Sequence, residues 1–170
     1  EWCSYGGSDG DFPGDQRTDD GCSLCFDTLP LAEPLEFFGA PMLHLAFSVD
    51  RPVAKIAVRL NDVAPDGAST RITYALCGLN HAWDQANPVM LEPGRVYHAA
   101  IALNTIAYAV QPGRRLRLAI STACWPQLWP GPDAATLSVH VAESRLELPV
   151  RPPHREDGEL RPFGPPECSA

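Results

Sequence analysis

The sequence has few basic residues, no long apolar run and no basic leader, and each absence argues against a class of protein. Thirteen lysines and arginines face 21 acidic residues, so the formal net charge is -8 at pH 7. This charge favours neither nucleic acid nor an anionic membrane as a partner. No apolar run approaches the roughly 20 residues that span a bilayer, and the first residues lack a signal peptide's features. We expect a cytoplasmic protein that binds no nucleic acid and no membrane.

Helical periodicity is also missing, because no long segment shows an apolar stripe free of proline and glycine. Instead, 18 prolines and 13 glycines lie between short apolar runs. In MLHLAFSV, Leu43, Leu45 and Phe47 alternate with other residues at the two-residue period of a half-buried strand. The same period recurs in AKIAVRLNDV, TRITYALCGL, VYHAAIAL, RRLRLAIS, ATLSVHVA and SRLELPV. About eight strands without helices between them predict an all-β fold with two packed antiparallel sheets, a sandwich or jelly roll.

The pattern also predicts which side chains point inward and how the chain is divided. The turn in APDGAST joins two strands into an antiparallel hairpin. Inward-facing residues are expected at Ile72, Tyr74, Leu76, Leu137, Val139, Val141, Leu146 and Leu148. A chain of 170 residues fits one domain. Its parts are an irregular lead-in loop at 1–20, the sandwich at 21–150 and an extended tail at 151–170.

The cysteines and histidines give no metal site by spacing. The six cysteines are irregularly spaced, so we expect free thiols, with disulfides as the alternative. Cys22 and Cys25 have the C-x-x-C spacing, but a strand would turn the two thiols to opposite faces. Histidines at the polar phase of strands are more often solvated or hydrogen-bonded than catalytic. This interpretation applies to His44, His98 and His140.

The glycine-rich start contains the G-x-S-x-G pattern of a nucleophile elbow around Ser8. An elbow needs a buried strand before the serine and a helix after it. Only seven residues precede Ser8, and Gly10, Pro13 and Gly14 follow it. The pattern is therefore interpreted as a coincidence. The nearby carboxylates are interpreted as solvated loop acids, with calcium binding as the alternative, at Asp9, Asp11, Asp15, Asp19 and Asp20.

Tryptophans in STACWPQLWPGP suggest a binding surface. Exposed aromatic side chains on a β-sandwich stack on sugars or dock a protein, whereas buried ones pack the core. Proline follows both Trp125 and Trp129, so this segment is not expected to form a central strand. Packing in the core or at an edge is the alternative for this loop and for Trp83.

Long stretches of the chain resemble a known family. They are DQRTDDGCSLCFDTLPLAEPLEFFGAP, VRLNDVAPDGASTRITYAL, LEPGRVYHAAIALNTIAYAVQPGRRLRLAISTACWPQLWP and SRLELPVRPP. They look like the C-terminal, non-catalytic domain of the X-Pro dipeptidyl peptidase and cocaine esterase family of serine hydrolases. Within these stretches, the most specific match is DVAPDGAST followed by PGRRLRLAIST.

The resemblance implies a galactose-binding-like jelly roll attached to an α/β-hydrolase domain of the same polypeptide. That upstream domain would carry the catalytic triad, so this chain would contain no catalytic residue, metal or cofactor. In cocaine-esterase-like members the segment leading into the domain lines the acyl pocket, which makes Trp2 and Tyr5 candidate substrate-facing residues. Trp125 and Trp129 are candidates for the substrate pocket or the interdomain contact. A carbohydrate-binding module is the alternative function, and a homo-oligomer is left open.

Overall fold

The structure, a computed structural model, describes residues 14–152 and 154–161. The described residues form one helical turn and ten strands, joined by turns and three short 3₁₀ segments. The helical turn, α1, is Arg17–Asp20. The strands are β1 Leu24–Asp27, β2 Leu35–Gly39, β3 Met42–Val49, β4 Lys55–Val63, β5 Ser69–Gly78, β6 Tyr97–Ala102, β7 Ile106–Val110, β8 Arg115–Ser121, β9 Leu137–Val139 and β10 Arg145–Glu147. The 3₁₀ segments are Leu79–His81, Val141–Glu143 and Arg155–Glu159.

All strand pairs between these elements are antiparallel, and they build two main sheets. Sheet 1 has the order β1-β8-β4-β5. Sheet 2 has the order β10-β3-β6, and β9 pairs with the same strand β3. Strands β2 and β7 form a separate two-stranded ribbon. The all-β sandwich predicted from the sequence is confirmed.

The core lies between the inward faces of the two sheets. Sheet 1 contributes Ile56, Val58 and Leu60 from β4, and sheet 2 contributes Leu43, Leu45 and Phe47 from β3. These six side chains are essentially inaccessible to solvent. These side chains alternate along β3 and β4 and share the core-facing side of each strand, which is why the two-residue period located both strands correctly. The other side of β4 is also buried, at Arg59 and Asn61.

The turn between β4 and β5 forms the expected hairpin. Gly67 has φ +89°, a conformation that glycine adopts without a Cβ penalty. Its N–H donates to the carbonyl oxygen of Ala64 at 2.9 Å. The ladder contains a register shift between Leu60 and Asn61.

The inward phase predicted for β5 was wrong beyond this shift. Ala75 and Cys77 lie opposite Val58 and Ile56 in the ladder and face the core. Tyr74 and Leu76 are therefore on the outer face of sheet 1, whereas Ile72 is buried. A bulge changes the phase of every later residue, and an alternating apolar pattern does not show where it occurs.

The last strands are shorter than the sequence pattern predicted. Leu137, Val139, Leu146 and Leu148 pack against the core as expected. Val141 was expected to face inward, but it begins a 3₁₀ segment and is exposed. No helix among the described residues is long and apolar enough to cross a membrane.

Candidate functional site

The side chain of Asp20 is buried on the outer face of sheet 1, and four donors surround its carboxylate. Oδ1 accepts a hydrogen bond from Asn61 Nδ2 at 2.9 Å, and Oδ2 accepts one from Ser69 Oγ at 2.7 Å. Arg59 and Arg117 form ion pairs with it, each at 3.2 Å. The side chain is only 3% exposed. A buried carboxylate is tolerated when its lone pairs are matched in this way.

The two arginines extend this cluster in opposite directions. Arg59 donates to Gln16 Oε1 at 3.0 Å and to Ser23 Oγ at 2.9 Å. Arg117 makes a two-pronged contact with Asp27, with both N···O distances at 2.7 Å. Hydrogen bonds raise the pKa of the Arg117 guanidinium, and the hydrogen bond to Asp27 has a larger effect than the one to Asp20. We call the cluster the Asp20 network, and its members are Gln16, Asp20, Ser23, Asp27, Arg59, Asn61, Ser69 and Arg117.

The Asp20 network fastens the lead-in segment to the sandwich. Backbone hydrogen bonding adds to it, because Gln16 N–H donates to the Ser69 carbonyl oxygen at 2.8 Å. The carboxylate of Asp15 accepts from the backbone N–H of Ser69 at 3.3 Å. Interpreting Asp20 as a solvated loop acid was therefore wrong, because its charge is buried and paired within the fold. Asp9 and Asp11 lie outside the described residues.

A second ion pair joins sheet 1 to the turn before β8. Arg114 Nε donates to Asp62 Oδ1 at 2.6 Å, and the Tyr108 hydroxyl donates to Oδ2 at 3.0 Å. Burial, together with the hydrogen bond to Asp62, raises the pKa of Tyr108. The Asp62 side chain is 3% exposed, like that of Asp20. Asp62 and Arg114 were not among the candidates selected from the sequence, although an acidic residue inside the otherwise largely apolar strand β4 was a visible signal.

The tryptophan loop between β8 and β9 lies at the surface. Trp125 and Trp129 are 57% and 63% exposed, and their ring centroids are 5.3 Å apart at an angle of 56°. The ammonium group of Lys55 donates to the carbonyl oxygen of Trp129 at 2.8 Å. The expectation that this segment is not a central strand agrees with the bridge between Cys124 and Leu128 that closes it. The loop therefore presents a rigid apolar pair to solvent.

Trp83 is less exposed and is held by specific contacts. Its Nε1 donates to the carbonyl oxygen of His98 at 2.9 Å, and its ring packs 5.6 Å from that of Tyr97. It thus packs at an edge of sheet 2. The proposed substrate-facing residues Trp2 and Tyr5, together with Ser8 and Cys3, lie outside the described residues.

The predicted solvated histidines lie on or beside the outer face of sheet 2. His44 Nε2 is 3.2 Å from Glu147 Oε2, but the contact is not a hydrogen bond of regular geometry. His98 is 3.7 Å from Glu143, and His140 Nε2 is 3.2 Å from Ser48 Oγ. None of the ion pairs found in residues 14–152 and 154–161 includes His140, so nothing there orients the ring as in a triad.

The described cysteines are free thiols, as expected, at Cys22, Cys25, Cys77 and Cys124. Cys22 lies in the turn before β1 and is exposed, while Cys25 Sγ contacts the Asp20 carbonyl oxygen at 3.4 Å. No cluster of metal-ligating side chains was found in the described part of the chain. Cys168 lies outside that part.

An apolar cavity of about 340 Å³ opens at one edge of the sandwich. Its floor is formed by core leucines of both sheets, including Leu43, Leu60 and Leu116. Phe26 of β1 lines one side, and Leu146 of β10 lines the other. The two sheets are therefore not closed against each other where β1 and β10 end the sheets.

Comparison with known proteins places this fold in a family of larger chains. Residues 2–157 match the family described as "X-Pro dipeptidyl-peptidase C-terminal non-catalytic domain". The cocaine esterase of Rhodococcus sp. (strain MB1 Bresler) is 27% identical over 117 residues, which are 68% of this chain and 20% of the esterase.

Solved structures agree with this match. An alpha-amino acid ester hydrolase labelled with selenomethionine superposes with a TM-score of 0.74 and 28% identity, over 81% of this chain and 27% of the hydrolase. An aminopeptidase from a marine sediment archaeon, Thaumarchaeota archaeon, gives a TM-score of 0.74 at 23% identity, over 82% of this chain and 28% of the aminopeptidase. The latter likeness concerns the fold alone. The chain thus spans between 20% and 28% of these relatives. It belongs to the family of X-Pro dipeptidyl-peptidase C-terminal non-catalytic domains.

Proposed function

We propose that this chain is the accessory C-terminal domain of a multidomain α/β-hydrolase of the X-Pro dipeptidyl peptidase or cocaine-esterase type. The upstream domain of the same polypeptide supplies the serine nucleophile and its triad, and this domain walls off and shapes the substrate cleft. The observation that carries the proposal is the family match over residues 2–157 in a chain that spans about a quarter of its structural relatives. The galactose-binding-like type of jelly roll and a cytoplasmic location belong to the same proposal.

The Asp20 network supports a positioning role for the domain. Arg59 holds Gln16 through a hydrogen bond and Asp20 through an ion pair, so both residues are fixed on the outer face of sheet 1. Trp2 and Tyr5 precede that anchor in the sequence, and the proposal assigns them to the substrate cleft. A rigid wall at a cleft excludes water and contributes apolar pocket surface, which favours bound substrate in a reactive arrangement.

The tryptophan loop supplies a candidate docking surface for the hydrolase domain. Trp125 and Trp129 present apolar rings to solvent, and tryptophan is enriched among the residues that dominate protein interfaces. The relatives named above are an esterase, an ester hydrolase and an aminopeptidase by name, which does not favour the carbohydrate-binding alternative. A homo-oligomer stays a prediction.

The direct test is labelling by a fluorophosphonate probe, because only an activated serine reacts quickly with it. Intact mass should show no labelling of the 170-residue chain. The longer polypeptide that contains a hydrolase domain ahead of this one should be labelled once, at a serine upstream of Glu1. Labelling of the short chain that disappears in Ser8→Ala would overturn the proposal and identify an autonomous hydrolase.

A further inference from the structure

At the open edge of the sandwich, no element formed by residues 14–152 and 154–161 covers the apolar side chains of β1. Two residues of β1 face inward: Leu24 lies opposite Ile120 of β8, and Phe26 lies opposite Leu118. Leu24, the first of them, is nevertheless 48% exposed, and Phe26 is half-buried. A leucine on the core side of a sheet normally packs against the facing sheet. Sheet 1 therefore extends past the part of sheet 2 that would cover it.

The facing edge of sheet 2 shows the same incompleteness. Val139, Leu146 and Leu148 point toward the core, yet they line the 340 Å³ cavity beside it. Val141 stands at its rim and is 59% exposed. The opening is bounded by apolar side chains on both sides and floored by core leucines. An apolar occupant would remove this surface from water, and the stabilisation grows with the area buried.

Backbone groups at this edge indicate the shape of the occupant. Thr28 N–H donates to the Leu116 carbonyl oxygen, so this pair is a hydrogen-bonded one in the β1–β8 ladder. Hydrogen-bonded pairs alternate along an antiparallel ladder, so the backbone groups of Cys25 and Asp27 point away from β8. Among the described strands, β1 pairs with β8 and with none other. An extended segment would satisfy these groups and place alternate side chains in the cavity, as in strand addition.

We propose that an extended, apolar segment of the upstream hydrolase domain occupies this cavity and pairs with the free edge of β1. The inference rests on the proposed function and names the surface that the partner uses. The occupant is assigned to the upstream part because relatives of this family carry about three-quarters of their length outside the matched domain. A strand satisfies both the free backbone edge and the apolar floor, whereas a small apolar molecule would satisfy only the floor.

Hydrogen exchange read by mass spectrometry tests the assignment. The 170-residue chain is compared with the longer polypeptide that contains the upstream hydrolase domain. The peptide covering residues 24–28 should exchange at least about tenfold more slowly in the longer polypeptide, since new hydrogen bonds close its free edge. Unchanged exchange there would overturn the inference. The same peptide already protected in the short chain would also overturn it, because one of the chain's own segments would then cover the edge.

Substitution at the rim provides an independent readout. Val141→Asp places a carboxylate where the segment would be buried, so it should reduce the added protection of residues 24–28 by about tenfold. Val96→Asp is the matched control, since Val96 is also an exposed valine but does not line the cavity. Both variants should fold, because each replaces an exposed side chain. Equal protection in the two variants would contradict the inference.

The outcome for this surface is separable from that of the proposed function. Fluorophosphonate labelling upstream, with slower exchange at the Trp125–Trp129 loop but not at residues 24–28, would keep the accessory role and overturn the inference. Absence of upstream labelling would overturn both. Unchanged exchange of residues 24–28 in the longer polypeptide, together with a raised unfolding midpoint of the 170-residue chain on addition of decanoate, would identify a site for an aliphatic ligand instead. This result would overturn the assignment to a protein segment.

Discussion

The buried carboxylate of Asp62 and the partly exposed guanidinium of Arg114 form an ion pair, with 2.6 Å between Oδ1 and Nε. The two residues are 52 positions apart in the chain. Asp62 lies in the segment DVAPDGAST and Arg114 in PGRRLRLAIST, the two stretches that carried the family resemblance. Ser69 of the first stretch also donates to Asp20 of the segment DQRTDDG. The recognisable stretches of sequence are therefore in contact, and they join through buried charges rather than through a catalytic arrangement.

The Asp20 carboxylate should be the most sensitive acidic position of the lead-in segment. Asp20→Ala leaves the buried Arg59 with only the exposed Asp19, at 3.4 Å, as a counter-ion. Loss of one partner of a buried pair costs about 3–5 kcal/mol of unfolding free energy. Asp19→Ala is the matched control, because the neighbouring side chain is 69% exposed. That change should stay within about 0.5 kcal/mol. Urea unfolding followed by tryptophan fluorescence measures both, and similar losses in the two variants would contradict the expected burial.

Asp27 should contribute to the acid stability of the domain. The hydrogen bonds from Arg117 lower the pKa of this carboxyl in the folded chain. A carboxyl with a lowered folded pKa stabilises the fold fully above its unfolded value of about 3.9, and this contribution is lost as the pH falls through the folded value.

The variant Asp27→Asn isolates this effect. Its free energy of unfolding should fall less steeply than that of the unmodified chain as the pH is lowered from about 5 to about 2.5. Urea titrations at each pH give the two slopes. Arg117→Gln should also flatten the slope, because it removes the group that lowers the Asp27 pKa. Parallel slopes in all three proteins would show that the pair does not control acid stability.

The sequence predicted the strands well where alternation was long and uninterrupted. β3 and β4 were located because their apolar side chains alternate over eight or nine residues. β2 and β7 were not predicted, because each spans five residues that include glycine or alanine and gives little contrast between faces. The inward phase of β5 was wrong because the shift beside Asn61 depends on how two strands pair, which is a tertiary property.

The candidate site was less predictable than the fold. Trp125 and Trp129 were selected from composition, and their exposure agrees with a docking role without testing it. Asp20 was interpreted as solvated because a charged residue in a polar loop usually is. Its burial depends on Arg59 and Arg117, two residues of distant strands that sequence spacing alone does not bring together.

The free cysteines should differ in alkylation rate. Burial raises the pKa of the Cys77 thiol, and it is also the main cause of the raised pKa of Cys25 and Cys124. The thiolate is the reactive form, so a raised pKa and low exposure both slow the reaction. Among the four cysteines that the structure describes, iodoacetamide at about pH 8 should modify the exposed Cys22 first and Cys77 among the last. Peptide mass spectrometry gives the alkylation rate of each cysteine. In the urea-unfolded chain, the four cysteines should react at similar rates.

The tryptophan loop should matter to the longer polypeptide more than to this domain. Trp125→Ala and Trp129→Ala each remove one ring of an exposed pair, so each should cost about 1 kcal/mol or less in the unfolding free energy of the 170-residue chain. If the loop docks on the hydrolase domain, the same substitutions should weaken the interdomain contact by about 2 kcal/mol or more.

Trp83→Ala is the comparison for these two variants. Its ring packs on Tyr97 and its Nε1 donates to the His98 carbonyl oxygen, so its loss should destabilise the short chain more than loss of either loop tryptophan. Urea unfolding of the short chain gives the stabilities.

Values of kcat/KM for a small activated ester and for a bulkier amide report on the cleft in the longer polypeptide. If the loop docks on the hydrolase domain, Trp125→Ala should lower kcat/KM for the bulkier substrate more than Trp83→Ala does. A displaced C-terminal domain would change the shape of the cleft, which affects most the substrate that fills it. Equal values for the unmodified and Trp125→Ala polypeptides would place the interdomain contact on another face of the sandwich.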